Sequence, residues 1–220
     1  MPPKKLQNIE VVEKNTNPEF DKGRISWIDR YRVKNQYEDG SFSKVYNLDV
    51  FSHKGLDAVG VIPYWKDNGK IMLTLLKSFR PALSFRSQNP ETSPFLVEII
   101  AGVLEAGEDG GEGAIIRAKE ELHEEAGILV ESKNIYLLGK PFYCSPGLYT
   151  EKLWICAVEI DPLKKVEPTL DGSVMEELIE AFPVTLAKAR EMCLNGEIKD
   201  AKTEIALERL YRALSDKENK

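Results

Sequence analysis

The sequence predicts an α+β fold, because strand patterns fill the first part of the chain and most helical patterns follow later. Segments 25–33 and 42–51 alternate in polarity on either side of an Asp-Gly turn, which indicates a small antiparallel unit. Segments 58–65 and 70–79 are largely apolar and flank a short Asn-Gly loop. This second pair predicts a hairpin within a buried sheet.

The remaining periodic segments predict three more strands and three helices. Gly127 follows the first helix, as a C-terminal glycine commonly does, and Thr185 has the side chain of an N-cap for the second. The first 22 residues are polar and mixed in charge, so we expect an arm that is ordered only if something packs on it. The predicted strands are 95–104, 134–143 and 151–160, and the predicted helices are 114–126, 185–195 and 202–214.

Composition restricts the class of protein. A chain of 220 residues with 42% hydrophobic content can bury a substantial core. Its net charge of −6 argues against nucleic acid as a partner, since phosphates are neutralised by a basic face. No segment resembles a membrane span or a signal peptide, so we expect no membrane partner and a cytoplasmic location. The cysteines expected to be reduced core residues are Cys144, Cys156 and Cys193.

The first predicted helix carries four glutamates within two turns. Glu121, Glu124 and Glu125 stand in an i, i+3, i+4 relation, so their carboxylates share one helix edge and can converge on hard cations. The alternative is a solvated acidic face. That alternative fits Glu120, which points away from the apolar stripe, better than Glu121 and Glu125, which flank the stripe.

The residues around these glutamates resemble the Nudix box, commonly written G-x5-E-x7-R-E-U-x-E-E-x-G-U, where U is a bulky apolar residue. Segment 102–108, Gly-Val-Leu-Glu-Ala-Gly-Glu, matches the first half of the box. Segment 121–128, Glu-Leu-His-Glu-Glu-Ala-Gly-Ile, matches every fixed position of the second half. Both halves are present, so the resemblance to the Nudix family is strong.

Two features depart from the box. The stretch between Glu108 and Glu121 is four residues longer than the pattern, and Glu120 occupies the position of the box arginine. An alternative register takes Glu112 as the first glutamate. Arg117, one turn earlier on the helix, is the candidate for the missing positive charge and stands in an i, i+4 relation to Glu121.

Beyond the box, the chain is similar to the ADP-ribose pyrophosphatase and nucleoside-diphosphate-sugar branch of the family, over roughly residues 25–214. The markers are Phe-Arg-Pro-Ala at 79–82, the strand that leads into Gly102, and Ser-Pro-Gly at 145–147 with Glu151 on the next strand. This branch usually has a proline where the chain has Ile100, which is a minor backbone change.

The resemblance implies a Nudix fold, which is an α/β/α sandwich with a mixed central sheet, plus a small N-terminal antiparallel β unit. The arm and the strand unit would span residues 1–57, and the Nudix hydrolase domain would span 58–220. In this branch the N-terminal strands commonly swap onto a partner subunit. We therefore expect a homodimer formed through residues 25–51.

The resemblance also implies a metal-dependent pyrophosphohydrolase that cleaves a nucleoside diphosphate sugar, of the ADP-ribose, UDP-glucose or GDP-mannose type, into a nucleoside monophosphate and a sugar phosphate. Glu121, Glu124 and Glu125, with the backbone carbonyl of Ala101, would hold Mg²⁺ or Mn²⁺. Glu125 is for this reason also counted among the catalytic residues. Oxygen ligands suit hard cations, which neutralise the diphosphate and lower the pKa of a bound water.

A general base is expected from the acidic loop at 171–180. By the resemblance, Glu177 is the first candidate and Glu176 the second. The alternative for either residue is a solvated loop before the helix at 185.

Four further residues are candidates for substrate binding. Arg80 would donate to a phosphate, or alternatively form a structural ion pair. Glu98 would accept from sugar hydroxyls, or form a salt bridge at the strand edge, and Glu151 would contact metal or diphosphate. Trp27 would stack on the base, although core packing is the alternative for this residue and for Tyr31 and Phe42.

Two rival functions differ from the enzyme. One is a catalytically idle Nudix-fold module that binds a nucleotide or sugar phosphate as a regulator, which Glu120 and the four extra residues motivate. The other is a structural protein with an acidic helix, which leaves the spacing of Gly102, Glu108 and Gly127 to coincidence. Retention of all three metal glutamates favours the enzyme.

Overall fold

Two separate β-sheets organise the part of the chain that the computed structural model describes, residues 6–15, 26–53, 55, 57–85, 93–169 and 179–218. The chain divides into two compact units, one of Met1–Leu56 with Ser145–Glu151 and the other of Asp57–Cys144 with Lys152–Lys220. The segment Ser145–Glu151, which the sequence analysis placed in the second domain, therefore groups with the first unit.

The first unit contains a three-stranded antiparallel sheet with β2 in the centre. The sequence predicted β2 and β3 but not β1, because residues 6–15 mix charged and apolar side chains without strict alternation. Pairing with β2 orders this part of the predicted arm. The strands are β1 (Leu6–Asn15), β2 (Ser26–Tyr37) and β3 (Tyr46–His53).

The second unit is built on an eight-stranded mixed sheet. Its main path runs β11-β5-β4-β10-β8, while β6 pairs with β5, β7 with β4 and β9 with β10. Strands β4 and β10 run parallel, and the other pairs are antiparallel. The strands are β4 (Ala58–Asp67), β5 (Lys70–Phe79), β6 (Phe95–Glu98), β7 (Ile100–Val103), β8 (Tyr136–Leu137), β9 (Phe142–Tyr143), β10 (Lys152–Glu159) and β11 (Glu180–Thr185).

Helices cover both faces of this sheet. On β4, Val59 and Val61 pack with the first helix, α1 (Gly110–Ala126). Ile62, on the opposite face, packs with residues of α2 (Leu186–Leu194) and α3 (Ala201–Glu218). The predicted α+β fold, with a mixed sheet between helical layers and a small antiparallel N-terminal sheet, is confirmed.

Several predicted boundaries were wrong. The strand predicted at 95–104 is two strands. The chain pairs with β5 up to Glu98 and with β4 from Ile100, so the ladder is interrupted at Ile99. The strand predicted at 134–143 contains the two-residue strands β8 and β9. Helix α1 starts at Gly110 rather than 114. Its first turn was not predicted because it is rich in glycine, which is a weak helix former.

Strand β11 was not predicted at all. It pairs with β5, with Pro183 opposite Thr74, and it lies at the end of the main strand path. Proline cannot donate to a strand ladder and is therefore tolerated at a sheet edge. The same proline made the segment unlike a strand in the sequence.

The structure also bears on membrane insertion and on the cysteines. None of the described helices is long and apolar enough to cross a membrane. Cys156 is buried, and burial raises the pKa of its thiol to about 12. Cys144 is exposed after β9, so the expectation of three core cysteines was wrong for this residue.

Gly127 ends α1 in the left-handed conformation, with φ of 62°, as the sequence predicted. A second constraint acts here, because the backbone of Val166 passes directly over the residue. A Cβ on Gly127 would lie 1.9 Å from the Val166 carbonyl oxygen. Gly196, which follows α2, has a similar φ of 78° but nothing within 4 Å of an added Cβ.

We predict that Gly127→Ala destabilises the protein more than Gly196→Ala. Both substitutions place alanine in the left-handed region, at about 1–2 kcal/mol each. Gly127→Ala must also displace the Val166 backbone, which adds about 1–3 kcal/mol. Urea unfolding of both variants measures the difference, and equal losses would contradict the proposed role of the Val166 contact.

Candidate functional site

Two glutamates on α1 approach the backbone of β7. Glu121 is buried, and a Cβ on Gly102 would lie 1.7 Å from its Oε1 atom. One turn further along, Glu125 Oε2 accepts a hydrogen bond of 3.2 Å from the backbone N–H of Ala101. A side chain at position 102 would therefore displace the Glu121 carboxylate, which occupies that space.

The carbonyl of Ala101 faces the same side as its N–H group. In an antiparallel pair, the N–H and C=O of one residue point to the same strand edge. Ala101 lies opposite Gly60 on β4, yet its N–H donates to Glu125. Glu121, Glu125 and the Ala101 carbonyl thus present oxygen atoms around one short stretch of backbone.

These oxygens are suited to a hard divalent cation. Glu124, the third predicted ligand, is half-buried between the other two on α1. Among the described residues, no three His, Cys, Asp or Glu side chains are gathered as a metal-holding group, so the three predicted glutamates are not preassembled. Mg²⁺ commonly keeps several waters and binds through one or two protein carboxylates plus substrate phosphates, which fits the pair of Glu121 and Glu125.

Arg117 is a buried cation between the two halves of the box. Its Nε and Nη2 atoms donate to the two oxygens of Glu108, each at 3.1 Å. Ion pairs of 3.2 Å join it to Glu105 and Glu120. The guanidinium therefore binds three carboxylates of the box region, while its side chain is only 8% exposed.

These contacts bear on both departures from the box. The box separates its first glutamate and its arginine by eight positions, and nine separate Glu108 from Arg117. Because four extra residues correspond to about one helical turn, Arg117 stands nearly as far after Glu108 as the box arginine stands after its first glutamate. Glu112 is exposed in the first turn of α1, which favours the register that starts at Glu108.

Glu98 and Arg80 form an ion pair beside β7. Arg80 Nε and Nη2 donate to the two Glu98 oxygens at 2.6 and 2.9 Å, and the Lys202 ammonium donates to the same carboxylate. Burial by itself raises the pKa of Glu98, but the bonds and charges of Arg80 and Lys202 outweigh it and lower the pKa below its ordinary value. Glu98 is therefore ionised, although the residue is only 1% exposed.

The structure places these two residues in the ion pairs that were the alternatives to substrate binding. Glu98 has its carboxylate enclosed by two cations. The Arg80 side chain remains 42% exposed, and the two bonds to Glu98 involve Nε and one terminal nitrogen. Arg80 thus retains access to solvent, whereas Glu98 does not. Lys202 was not predicted as a site residue, because the sequence at the start of a helix does not show which distant strand the helix will contact.

Two predicted substrate residues lie in the first unit. Glu151 Oε2 is 2.9 Å from His53 Nε2, at the end of β3. Trp27 is half-buried on β2, and its indole N–H donates to Asp29 at 3.2 Å. Phe42, for which core packing was one alternative, is 45% exposed under the ammonium of Lys34.

The predicted general bases, Glu177 and Glu176, lie outside the described residues. Their roles stay predictions.

The fold and the box together define a Nudix-type protein. No family model matches the chain. The chain is 30% identical to the ADP-ribose pyrophosphatase of Bacillus subtilis over 183 residues, which cover 83% of this chain and 84% of that one. It is 29% identical to the GDP-mannose pyrophosphatase of Yersinia enterocolitica over 208 residues, covering 93% and 94%. A solved structure described as an ADP compounds hydrolase shares the fold, with a TM-score of 0.63, 17% identity and 98% coverage of both chains.

The chain therefore belongs to the Nudix hydrolase family, in its ADP-ribose pyrophosphatase branch. It is an enzyme of the class that hydrolyses phosphoanhydride bonds.

We predict strong coupling between Arg117 and Glu108 in a double-mutant cycle. Arg117→Gln should lower the free energy of unfolding by about 2–4 kcal/mol, because it leaves a partly buried carboxylate without its main counter-ion. Adding Glu108→Gln should recover about 1–3 kcal/mol of that loss.

Urea unfolding measures all four corners of the cycle. Lys133→Gln, which breaks an exposed ion pair with Glu131, is the control and should change stability by less than about 0.5 kcal/mol. Additive losses at Arg117 and Glu108 would show that the two residues do not act as a pair.

Proposed function

We propose that the chain hydrolyses the diphosphate bridge of a nucleoside diphosphate sugar with the help of Mg²⁺ or Mn²⁺. The observation that carries the proposal is the approach of Glu121 and Glu125 to the backbone at Ala101 and Gly102. The named activities of the relatives, on ADP-ribose and on GDP-mannose, support a substrate of this class.

The products follow from the bond that is broken. Water adds its oxygen to one phosphorus atom, the bridging P–O bond breaks, and the other phosphate leaves with the bridging oxygen. One water is consumed, and a nucleoside monophosphate and a sugar phosphate are released. A cation held by Glu121, Glu125 and the Ala101 carbonyl, with Glu124 as a further ligand, would neutralise the diphosphate and lower the pKa of a bound water.

The chain's own residues have separate tasks in this proposal. Arg80 is fixed by Glu98 through two of its nitrogens, and its other terminal nitrogen can donate to a phosphate oxygen. Glu98 orients Arg80 rather than binding the sugar. Glu177, or Glu176, takes the proton of the attacking water, while Glu151 and Trp27 remain candidates for contacts with the diphosphate and the base.

The contacts of Arg117 weaken the argument for the regulator hypothesis. It rested on the missing box arginine and on the four extra residues, and Arg117 supplies a positive charge that binds Glu108 from a shifted position. An idle module also has no need for buried Glu121 beside Gly102.

We predict that phosphomonoester release from ADP-ribose, GDP-mannose or UDP-glucose requires Mg²⁺ or Mn²⁺ and stops with EDTA. Glu121→Gln and Glu125→Gln should each lower kcat/KM by roughly 100-fold or more, since even the partners of metal ligands contribute 10–100-fold. The assay is release of phosphate from the products by a phosphatase, for each sugar in the panel.

Glu112→Gln is the matched control, because it removes one charge from an exposed site on the same helix. It should retain the native rate. If the native chain binds one of these nucleotides but cleaves none, the regulator hypothesis replaces the enzyme hypothesis for this substrate class.

We also propose that the chain is a homodimer formed through its N-terminal sheet. Apolar side chains of this unit are exposed, which is typical of a surface that a partner covers. They are Val11, Val12, Ile28, Phe42 and Tyr46.

We predict that sedimentation equilibrium gives twice the chain mass of 24.9 kDa. Val11→Lys with Ile28→Lys should shift the protein towards the monomer, because both side chains are exposed and a buried lysine in an interface is costly. A native chain that sediments as a monomer at micromolar concentration would contradict the dimer.

A further inference from the structure

The first turn of α3 binds the two residues at which the sheet changes partners. Strand β6 pairs with β5 up to Glu98, and β7 pairs with β4 from Ile100. Ile99 lies between the two strands, and its N–H donates to Thr203 Oγ1 at 2.9 Å. This hydrogen bond crosses 104 residues of sequence and is fully buried.

The Thr203 hydroxyl has a defined orientation. Its own hydrogen goes to Asp200 Oδ2 at 2.6 Å, and the same oxygen accepts the Thr203 backbone N–H at 3.0 Å. Oγ1 is therefore left as an acceptor for Ile99 N–H. Asp200, placed directly before α3, fixes this geometry.

The neighbouring side chain holds the neighbouring strand residue. Lys202 Nζ donates to Glu98, and it lies 3.0 Å from Asp200 Oδ2. The charges of Arg80, Glu98, Lys202 and Asp200 balance within one cluster. Consecutive residues of α3 thus bind consecutive residues of the chain, Glu98 and Ile99.

Ala101 follows this anchor by two residues. Its N–H donates to Glu125, and its carbonyl faces the same edge. A shift of Ile99 would be transmitted through Ile100, which is fully buried and pairs with Val61, to the backbone that Glu121 and Glu125 approach. The anchor is therefore coupled to the oxygens of the site through a rigid, packed strand.

We propose that Asp200, Lys202 and Thr203 are positioning residues, which set the Ala101 backbone at the distance that divalent-cation binding requires. This inference rests on the proposed metal-dependent hydrolysis. The helix contributes no atom to the reacting groups and acts through Glu98 and Ile99.

The test measures Mn²⁺ binding directly, by the electron paramagnetic resonance signal of free Mn²⁺ in titrations of the full chain. Thr203→Val keeps the side-chain shape but removes the acceptor for Ile99, and it should weaken Mn²⁺ binding roughly tenfold, as loss of an outer partner of a metal ligand does. Thr203→Ser restores the hydroxyl and should bind within about twofold of the native chain.

Thr185→Val is the matched control. Thr185 caps α2 through a hydrogen bond from Lys188 N–H, so its loss lowers thermal stability without touching the anchor. It should leave Mn²⁺ affinity unchanged. Lys202→Gln is a second variant, on a partly exposed side chain, and should weaken Mn²⁺ binding if Thr203→Val does not fold.

The expected result also includes a kinetic difference. At a fixed Mn²⁺ concentration below saturation, Thr203→Val should lose rate, and excess Mn²⁺ should recover much of it. Native Mn²⁺ affinity in folded Thr203→Val or Lys202→Gln would overturn the positioning role, as would weakened binding in Thr185→Val. A native chain that binds Mn²⁺ with the predicted pattern but hydrolyses no nucleotide sugar would contradict the proposed function alone.

Discussion

The close approach of α1 to β7 at Gly102 is the constraint on which the rest of the site depends. The Glu121 carboxylate occupies the space that a side chain at position 102 would fill, so it lies directly against the backbone of the strand. The apolar side of α1, with Leu122 fully buried, holds the helix in this place. Glu125 lies one turn later and accepts a hydrogen bond from the neighbouring backbone group, Ala101 N–H. The packing of α1 on the sheet thus determines where Glu121 and Glu125 lie.

Three cations, Arg117, Arg80 and Lys202, hold the carboxylates around the site together. Arg117 neutralises Glu108 and also binds Glu105 and Glu120, which offsets part of the repulsion among the carboxylates of the box. Arg80 and Lys202 do the same for Glu98, whose charge would otherwise be too costly to bury. These cations hold the carboxylates that have structural roles. The carboxylates of Glu121 and Glu125 lie against the backbone of β7.

The sequence predicted the fold class, the core hairpin and the glutamate helix because each depends on local periodicity or on a contiguous motif. It predicted Glu121, Glu125 and Gly102 together because the box spacing encodes how helix and strand meet. It left open whether Glu98 binds sugar or pairs with a cation, since the answer depends on Lys202, 104 residues away. Strand β11 was missed because its proline is tolerated only at a sheet edge, and a position in a sheet is not a local property.

The most direct test of the account is the location of the metal. Crystals of the native chain grown with Mn²⁺ and a non-hydrolysable α,β-methylene analogue of ADP-ribose would be measured for anomalous scattering. We predict an anomalous peak within about 2.0–2.6 Å of oxygens of Glu121, Glu125 and the Ala101 carbonyl. A peak bound to other side chains, or an analogue bound in that region without metal, would contradict the claim that the α1 and β7 contact is the catalytic centre.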